Sequence, residues 1–339
     1  RYNERVRIAT QSVSDAQLCT AFERIECTRA DTPLTYFEFG TLAALQLFCD
    51  VKVDVAVLEV GLGGRLDAVN VLDADVAIVT SIGTDHTHWL GQDREAIGRE
   101  KAGIFRPGRP AICADRDPPA SVRQTARTLG AKFLQIGDDY EAERDPTSWR
   151  WRSPHQIRAG LPYPAMRGAH QLQNAAAALM ALEALADRLP VTQAHVRDGL
   201  LAAVLPGRFQ TLPGLPVRVL DVAHNVEAAN ALAATLKTQS VVGCTAAVLG
   251  ILKDKPVERV MTAMASVVDR WYLATLSEER GATAEELLAI LKQVDSTTPA
   301  SLHPDPLRAY RTACCDASER DRIVVFGSFY TVSDILGNG

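Results

Sequence analysis

Short runs of Val, Ile, Leu and Ala occupy residues 54–60, 75–80, 217–222, 245–250 and 322–327. Each is too short for a helix and is apolar at consecutive positions, the pattern of a strand covered on both faces. Between these runs, apolar residues recur at helical spacing over 15–28, 36–49, 94–102, 120–129, 169–188, 256–268, 284–293 and 307–317. Strands alternating with helices predict an α/β protein with parallel sheets and helices on both sheet faces. Residues 146–164 break the rhythm with Trp149, Trp151, prolines and short alternating runs, which predicts a small hairpin excursion. The stretch Leu205-Pro206-Gly207-Arg208 ends a long alanine-rich helical pattern just before a fresh strand-helix series, and predicts domains over 1–206 and 207–339.

Composition narrows the partners. The 339 residues carry 36 Lys plus Arg against 41 Asp plus Glu, a net charge of −5, so no basic excess is present to neutralise a nucleic-acid backbone. No uncharged apolar stretch approaches the roughly 20 residues that cross a bilayer, so a soluble protein without a membrane partner is expected. Seven cysteines lie scattered without a C-x-x-C pair, which predicts buried thiols in a reducing cytoplasm. The chain opens on Arg1 without an apolar leader region and is expected to be the remainder of something longer.

Chemistry-bearing residues cluster at predicted strand ends. Glu59 closes the first apolar run and is followed by Gly61, Gly63 and Gly64. A dinucleotide fingerprint would need glycine at position 66, which is leucine. A carboxylate beside a glycine loop suits a hard cation such as magnesium, or simply caps the loop. Asp85 and His86 follow the next run; with His88 they could bind zinc, yet no further Cys or His has suitable spacing. Lys101 ends a charged helix and is either solvated or functional. Asn174 lies in the helix-opening Gly168–Asn174 stretch, able to receive phosphate or adenine or merely to cap. Arg208 is a natural anion clamp or an ordinary salt-bridge partner. Asp221, His224 and Asn225 end a strand in the second half, and Ser328 ends the last.

The segments LEVGLGGRLDAVN, TSIGTDHTHWLG, REKAGIF, HQLQNAAAAL, LPGRFQ, LDVAHN, GILKDK and VVFGSFYTV, in this order, resemble the folylpolyglutamate synthases and bifunctional dihydrofolate synthases of the Mur ligase family. The resemblance runs from residue 2 to about 336. It implies a P-loop-type ATPase domain, here truncated at its N-terminus, followed by a smaller Rossmann-like α/β domain, with the active site between them. It implies Mg2+ held by Glu59 and His86, and a carbamylated Lys101 near the metal. Asn174, Arg208 and Asp221 match ATP-contacting positions. Thr35, Tyr36, Phe37 and Glu38, with Leu66, Asp67 and Ala68, match pteroate-binding loops. His224 and Ser328 match positions linked to catalysis or glutamate handling. Val69 and Val226 stand where the family often has threonine and proline. The phosphate loop G-x-x-x-x-G-K-[ST] is absent, and no Gly-Lys dipeptide occurs. In the family the stretch RYNERVRI lies downstream of that loop, so these residues alone are expected to be inactive.

The implied activity is an ATP-dependent amide ligase, expected to be a cytoplasmic monomer. A carboxylate of dihydropteroate, or of a folate's terminal glutamate, becomes an acyl phosphate that the amine of L-glutamate attacks. Two alternatives stand beside it: a peptidoglycan-type Mur ligase, against which residues 34–40 and the lack of an extra substrate domain argue, and an inactive nucleotide-binding module.

Overall fold

The computed structural model describes residues 2–84, 87–239 and 241–338, and these divide into two compact units, 1–135 and 136–339. The first unit contains a β1 (Arg7–Ile8) to β2 (Gln11–Ser12) hairpin, α1 (Asp15–Arg29), α2 (Tyr36–Val51), β3 (Ala77–Val79), α3 (Thr87–Leu90), α4 (Arg94–Ala102), β4 (Pro110–Cys113), α5 (Ala120–Leu129) and β5 (Lys132–Gln135). Strands β3, β4 and β5 form a parallel sheet in that order, with Ala77 opposite Ala111 and Ala111 opposite Phe133. Its core joins Val79, Ala111 and Cys113 to Ile97 and Ala102 of α4 and Val122 and Ala126 of α5. A second cluster, built on Val6, Leu18, Ala21, Ala43 and Leu47, welds α1 to α2.

The second unit opens with an antiparallel sheet, β6 (Glu141–Arg144), β7 (Trp149–Arg152) and β8 (Ile157–Leu161), followed by α6 (Ala169–Ala184) and α7 (Gln193–Ala202). Then come β9 (Gln210–Leu212), β10 (Val217–Leu220), α8 (Val226–Thr238), β11 (Thr245–Leu249), α9 (Val257–Ala265), β12 (Arg270–Ala274), α10 (Ala284–Val294), β13 (Ala300–His303), α11 (Pro306–Asp316), β14 (Arg322–Phe326) and α12 (Phe329–Asn338). The large sheet has the order β13-β12-β11-β14-β10-β9, parallel except for β9. Alternate strand residues serve opposite faces. Val219, Ala247, Leu249, Val324 and Phe326 pack with α8, α9 and α10, while Leu220, Val248, Ile323 and Val325 pack with α11 and α12.

Local chemistry sets the helix starts. Ser14 with Gln17, Thr35 with Glu38, Thr192 with His195 and Thr283 with Glu286 form capping boxes, and Asp93, Asn225 and Asp305 cap α4, α8 and α11. Buried Arg322 donates to the main-chain oxygens of Leu236 and Gln239 at the end of α8 and to Thr245 Oγ1, a cation placed at the negative end of a helix.

Several expectations change. Residues 54–60 form no strand: they find no ladder partner among the described residues, and Val55 and Val57 are exposed. Hydrophobic content alone cannot make a strand without a hydrogen-bonding neighbour. The cysteines are also corrected. None of the seven is in a disulfide and only Cys113 is buried, because Cys19, Cys27, Cys49, Cys244 and Cys315 stand on outward faces or element ends. Helices α7, α8 and α12 and strands β4, β5, β12 and β13 go beyond the sequence reading. The excursion at 146–164 is present, widened to three strands by β6.

Trp149 and Trp151 anchor that small sheet. Both are fully buried; Trp149 Nε1 donates to Pro162 O at 2.9 Å and Trp151 Nε1 to Ala176 O of α6 at 3.1 Å. Replacing Trp151 with alanine empties a large volume and strands a carbonyl within a buried contact. The Trp151→Ala variant is expected to lose about 3–5 kcal/mol of stability, measured by urea unfolding; a loss below about 1 kcal/mol would show that the sheet is not docked on α6.

Candidate functional site

In the first unit the glycine loop after Glu59 is shaped by close approach. A Cβ on Gly61 would lie 2.7 Å from the Phe37 ring, and one on Gly64 would lie 2.8 Å from the main-chain oxygens of Glu100 and Lys101. Asp67 accepts from the N–H groups of Gly61, Leu62 and Val69, so its carboxylate ties the loop into the 3-10 turn Ala68–Val71. Arg65 donates its N–H to Glu100 O and pairs with the Glu100 carboxylate at 3.0 Å. Asn70 Nδ2 reaches both Arg65 O and Gly103 O. Together these bonds fasten the loop to the end of α4, where Lys101 is half-buried.

Glu59 is exposed and its side chain accepts no hydrogen bond among the described residues. An unpartnered, ionisable oxygen donor of this kind fits a hard cation such as Mg2+. His86 and Asp85 lie outside the described residues, and among those described no cluster of three or more His, Cys, Asp or Glu converges on a metal-sized point.

The two predicted pteroate segments are neighbours, because α2 packs on the turn Ala68–Val71. Their side chains then diverge. Thr35 and Glu38 are engaged in the α2 capping box, which holds the Glu38 carboxyl below its ordinary value. Tyr36 stands 70% exposed with its ring edge-on to Tyr2 at 5.6 Å. Thr35 and Tyr36 line a cavity of about 490 Å3 with Tyr2, Phe22, Leu34 and Phe39. Phe37 turns elsewhere, onto Gly61, while Leu66 is exposed and Ala68 half-buried.

In the second unit, topology creates the crevice. Strands β10 and β14 are hydrogen-bonded neighbours, yet α8 leaves β10 for one sheet face and α12 leaves β14 for the other. Such divergence opens a cleft at the carboxyl ends of the strands. His224 follows β10, with Nδ1 2.8 Å from Val222 O and its ring 6.5 Å from that of Phe329. The carbonyl can only accept, so Nδ1 carries a proton in this contact and, in the neutral ring, Nε2 is the acceptor. Ser328 is buried; its Oγ accepts the Thr331 N–H and lies 2.8 Å from Thr331 Oγ1, which donates to Gly250 O.

Arg208 is exposed, with its guanidinium over the Phe329 ring at 5.4 Å. Asp221 accepts from Phe209 N–H and Ala223 N–H, both at 2.8 Å. Burial pushes its carboxyl above the ordinary value, opposed by these two bonds and by the charges of Arg208 and His170. Asn174 is exposed on the first turns of α6, its amide donating to Gln171 Oε1 at 3.3 Å. The structure therefore brings Arg208, Asp221, His224 and Ser328 to one end of the large sheet. His170 had no role in the sequence reading. Its ring folds back over Gly168, where a Cβ would be 2.6 Å from Cε1, and it faces the charges of Asp221 and Arg208; burial pushes its pKa down. The positive φ of Gly168, +120°, requires glycine there and was the one local signal. The contacts of Phe329 with Arg208 and His224 join residues far apart in the chain and had no local signal.

The Mur ligase middle domain family matches residues 8–182, and the Mur ligase glutamate ligase domain family matches residues 207–329. The dihydrofolate synthase/folylpolyglutamate synthase of Escherichia coli is 43% identical over 99% of this chain and 77% of its own length. The structure of E. coli FolC in complex with DHPP and ADP superposes with a TM-score of 0.93, at 43% identity, covering 99% of this chain and 78% of that one. A bifunctional folylpolyglutamate synthase/dihydrofolate synthase with Mn, AMPPNP and L-glutamate bound gives a TM-score of 0.90 at 43% identity, covering 99% and 79%. With both domain families matched and 43% identity over 99% of its length, the chain belongs to the dihydrofolate synthase/folylpolyglutamate synthase branch of the Mur ligase family.

Proposed function

We propose that this protein is an ATP-dependent amide ligase that joins L-glutamate to dihydropteroate, to folates, or to both. The observation that carries the reading is the meeting, at the ends of β10 and β14, of exposed Arg208, half-buried Asp221 and His224, whose Nδ1 is engaged by Val222 O. The relatives solved with ADP, AMPPNP, L-glutamate and DHPP supply the substrate classes. The functional division is placed at residues 206 and 207, supported by the end of α7 before it and the glutamate ligase domain match after it. We read the protein as a monomer of the cytoplasm acting on small molecules, without nucleic-acid or membrane partners, in line with its net charge of −5.

In the reaction an oxygen of the pteroate or folate carboxylate attacks the γ-phosphorus of ATP, the bond to the β-γ bridging oxygen breaks, and ADP leaves. The glutamate nitrogen then attacks the acyl carbon of the acyl phosphate, the carbon-oxygen bond breaks, and phosphate departs. Both partners of the first step are anions, so their approach needs compensating positive charge. Arg208 supplies it from the linker turn, and Asn174 and Asp221 are assigned to the nucleotide. Glu59 and His86 would hold Mg2+, which when bound neutralises phosphate charge, and Lys101, as a carbamate, would add an anionic oxygen beside them. His224 Nε2 is assigned the proton released when the glutamate ammonium becomes a nucleophilic amine. Ser328 holds the end of β14 through Thr331 and Gly250, which keeps the floor of the glutamate pocket rigid. Thr35, Tyr36, Phe37 and Glu38 with Leu66, Asp67 and Ala68 form the pteroate side, Asp67 by folding the loop and Phe37 by offering a ring.

The intact protein given ATP and L-glutamate is expected to release ADP only when dihydropteroate or a tetrahydrofolate is added, and to yield the glutamylated product by mass spectrometry. Product from a muramoyl-peptide precursor, with none from either pteridine, would favour the peptidoglycan ligase instead.

Glu59→Gln is expected to lower turnover at least about a hundredfold, since a neutral amide is a poor ligand for a hard cation where charge compensation carries the rate. Near-normal turnover at limiting magnesium would remove Glu59 from the metal.

Phe37→Ala is expected to raise the apparent KM for dihydropteroate several-fold and leave that for ATP unchanged. Equal effects on both substrates would identify Phe37 as packing for Gly61 alone.

A further inference from the structure

We propose that Asp221 is the positioning residue for Arg208, acting through a strained turn that it holds closed. The linker turn is 206–210, and Arg208 sits between Gly207 at φ +69° and Phe209 at φ +44°. Phe209 is a bulky residue in the left-handed region, a conformation that persists only where surrounding bonds impose it. Asp221 Oδ2 takes the Phe209 N–H at 2.8 Å, and Oδ1 takes the Ala223 N–H at 2.8 Å, so one carboxylate staples the turn to the end of β10. Two further hydrogen bonds and one close approach belong to the same turn. Gln210 Oε1 accepts the Gly207 N–H at 2.9 Å, Val222 N–H donates to Gly207 O at 2.9 Å, and a Cβ on Gly207 would lie 2.9 Å from Val222 Cγ1. The Phe209 side chain is buried in the core of the large sheet, so the turn is tethered from below as well.

Arg208, between buried Gly207 and Phe209, projects from this turn and lies over the Phe329 ring at 5.4 Å. The staple thus decides where a guanidinium points. With the Asp221 acceptor removed, the Phe209 N–H loses its partner and the positive φ is held only by the Gln210 and Val222 bonds and the buried ring; the turn loosens and the rigid placement of Arg208 over Phe329 is lost. An arginine held in advance spares the entropy of ordering a long side chain when the anion binds, which is the benefit of the strain. Both Asp221 oxygens are taken by main-chain N–H groups, so the effect of the aspartate on the nucleotide runs through Arg208.

The inference rests on the reading of Arg208 as an ATP contact, and the test separates the two. Arg208→Met in the intact protein is expected to raise the KM for ATP about tenfold or more. Asp221→Asn alone is expected to raise it several-fold, and to add less than about twofold in the Arg208→Met background, because residues that act as a unit are not additive. Full additivity of the two losses overturns the staple. Gln210→Met, which removes a neutral acceptor from the same turn, is expected to follow the same subadditive pattern and serves where Asp221→Asn folds poorly. Limited trypsin digestion reads the turn independently of ATP. Cleavage after Arg208, followed by fragment mass, is expected to be slow in the parent and at least several-fold faster in Asp221→Asn at temperatures well below its Tm. Equal cleavage rates overturn the proposal, whereas faster cleavage with an unchanged ATP KM in Arg208→Met leaves the staple standing and removes Arg208 from the nucleotide.

Discussion

Burial of β10, β11 and β14 on both faces is the constraint on which the second unit depends. Val219 and Val324 face the α8-α10 layer while Leu220 and Val325 face α11 and α12, and none of these strand residues reaches solvent. A sheet apolar on both sides must be covered on both sides, so its connections cannot all run on one face. The chain obeys by sending α8 and α12 in opposite directions from adjacent strands. The cleft at their ends is a by-product of that covering, and polar residues accumulate there because it is where the main chain leaves the core.

What the first unit contributes is held by a different force, close main-chain approach. Gly61 admits the Phe37 ring and Gly64 admits the carbonyl end of α4, so the loop after Glu59 is pressed between two helices. Asp67 then occupies three loop N–H groups that would otherwise go unsatisfied. Polar residues such as Asp67, Thr35 and Ser328 spend their side chains on structure: their hydrogen bonds hold the glycine loop, the start of α2 and the end of β14.

The second sheet was legible in outline because consecutive apolar residues at 217–222, 245–250 and 322–327 have few alternatives to a doubly covered strand. Strands β12 and β13 were not, since Arg270 to Ala274 and Ala300 to His303 mix charged, aromatic and polar residues whose burial is decided by neighbours. The run at 54–60 misled for the converse reason: its composition is that of a strand, but strand formation is a property of pairs, and the pairing partner is not read from the run itself.

By itself the sequence determined the alternation of strand and helix, the capping residues, the ordered motifs that carry family membership, and the identity of Arg208, Asp221 and His224 as candidates. These are local or consecutive signals, set by propensity, by hydrogen bonds spanning a few residues and by apolar runs. Only the tertiary structure decided that Asp221 spends a carboxylate oxygen on the N–H of Phe209, that Phe209 is held at φ +44°, and that Phe329 lies beneath Arg208. Partners separated by 12 to 121 positions meet only when the sheet and its crossover helices have been laid down, and no local rule of the chain encodes that meeting.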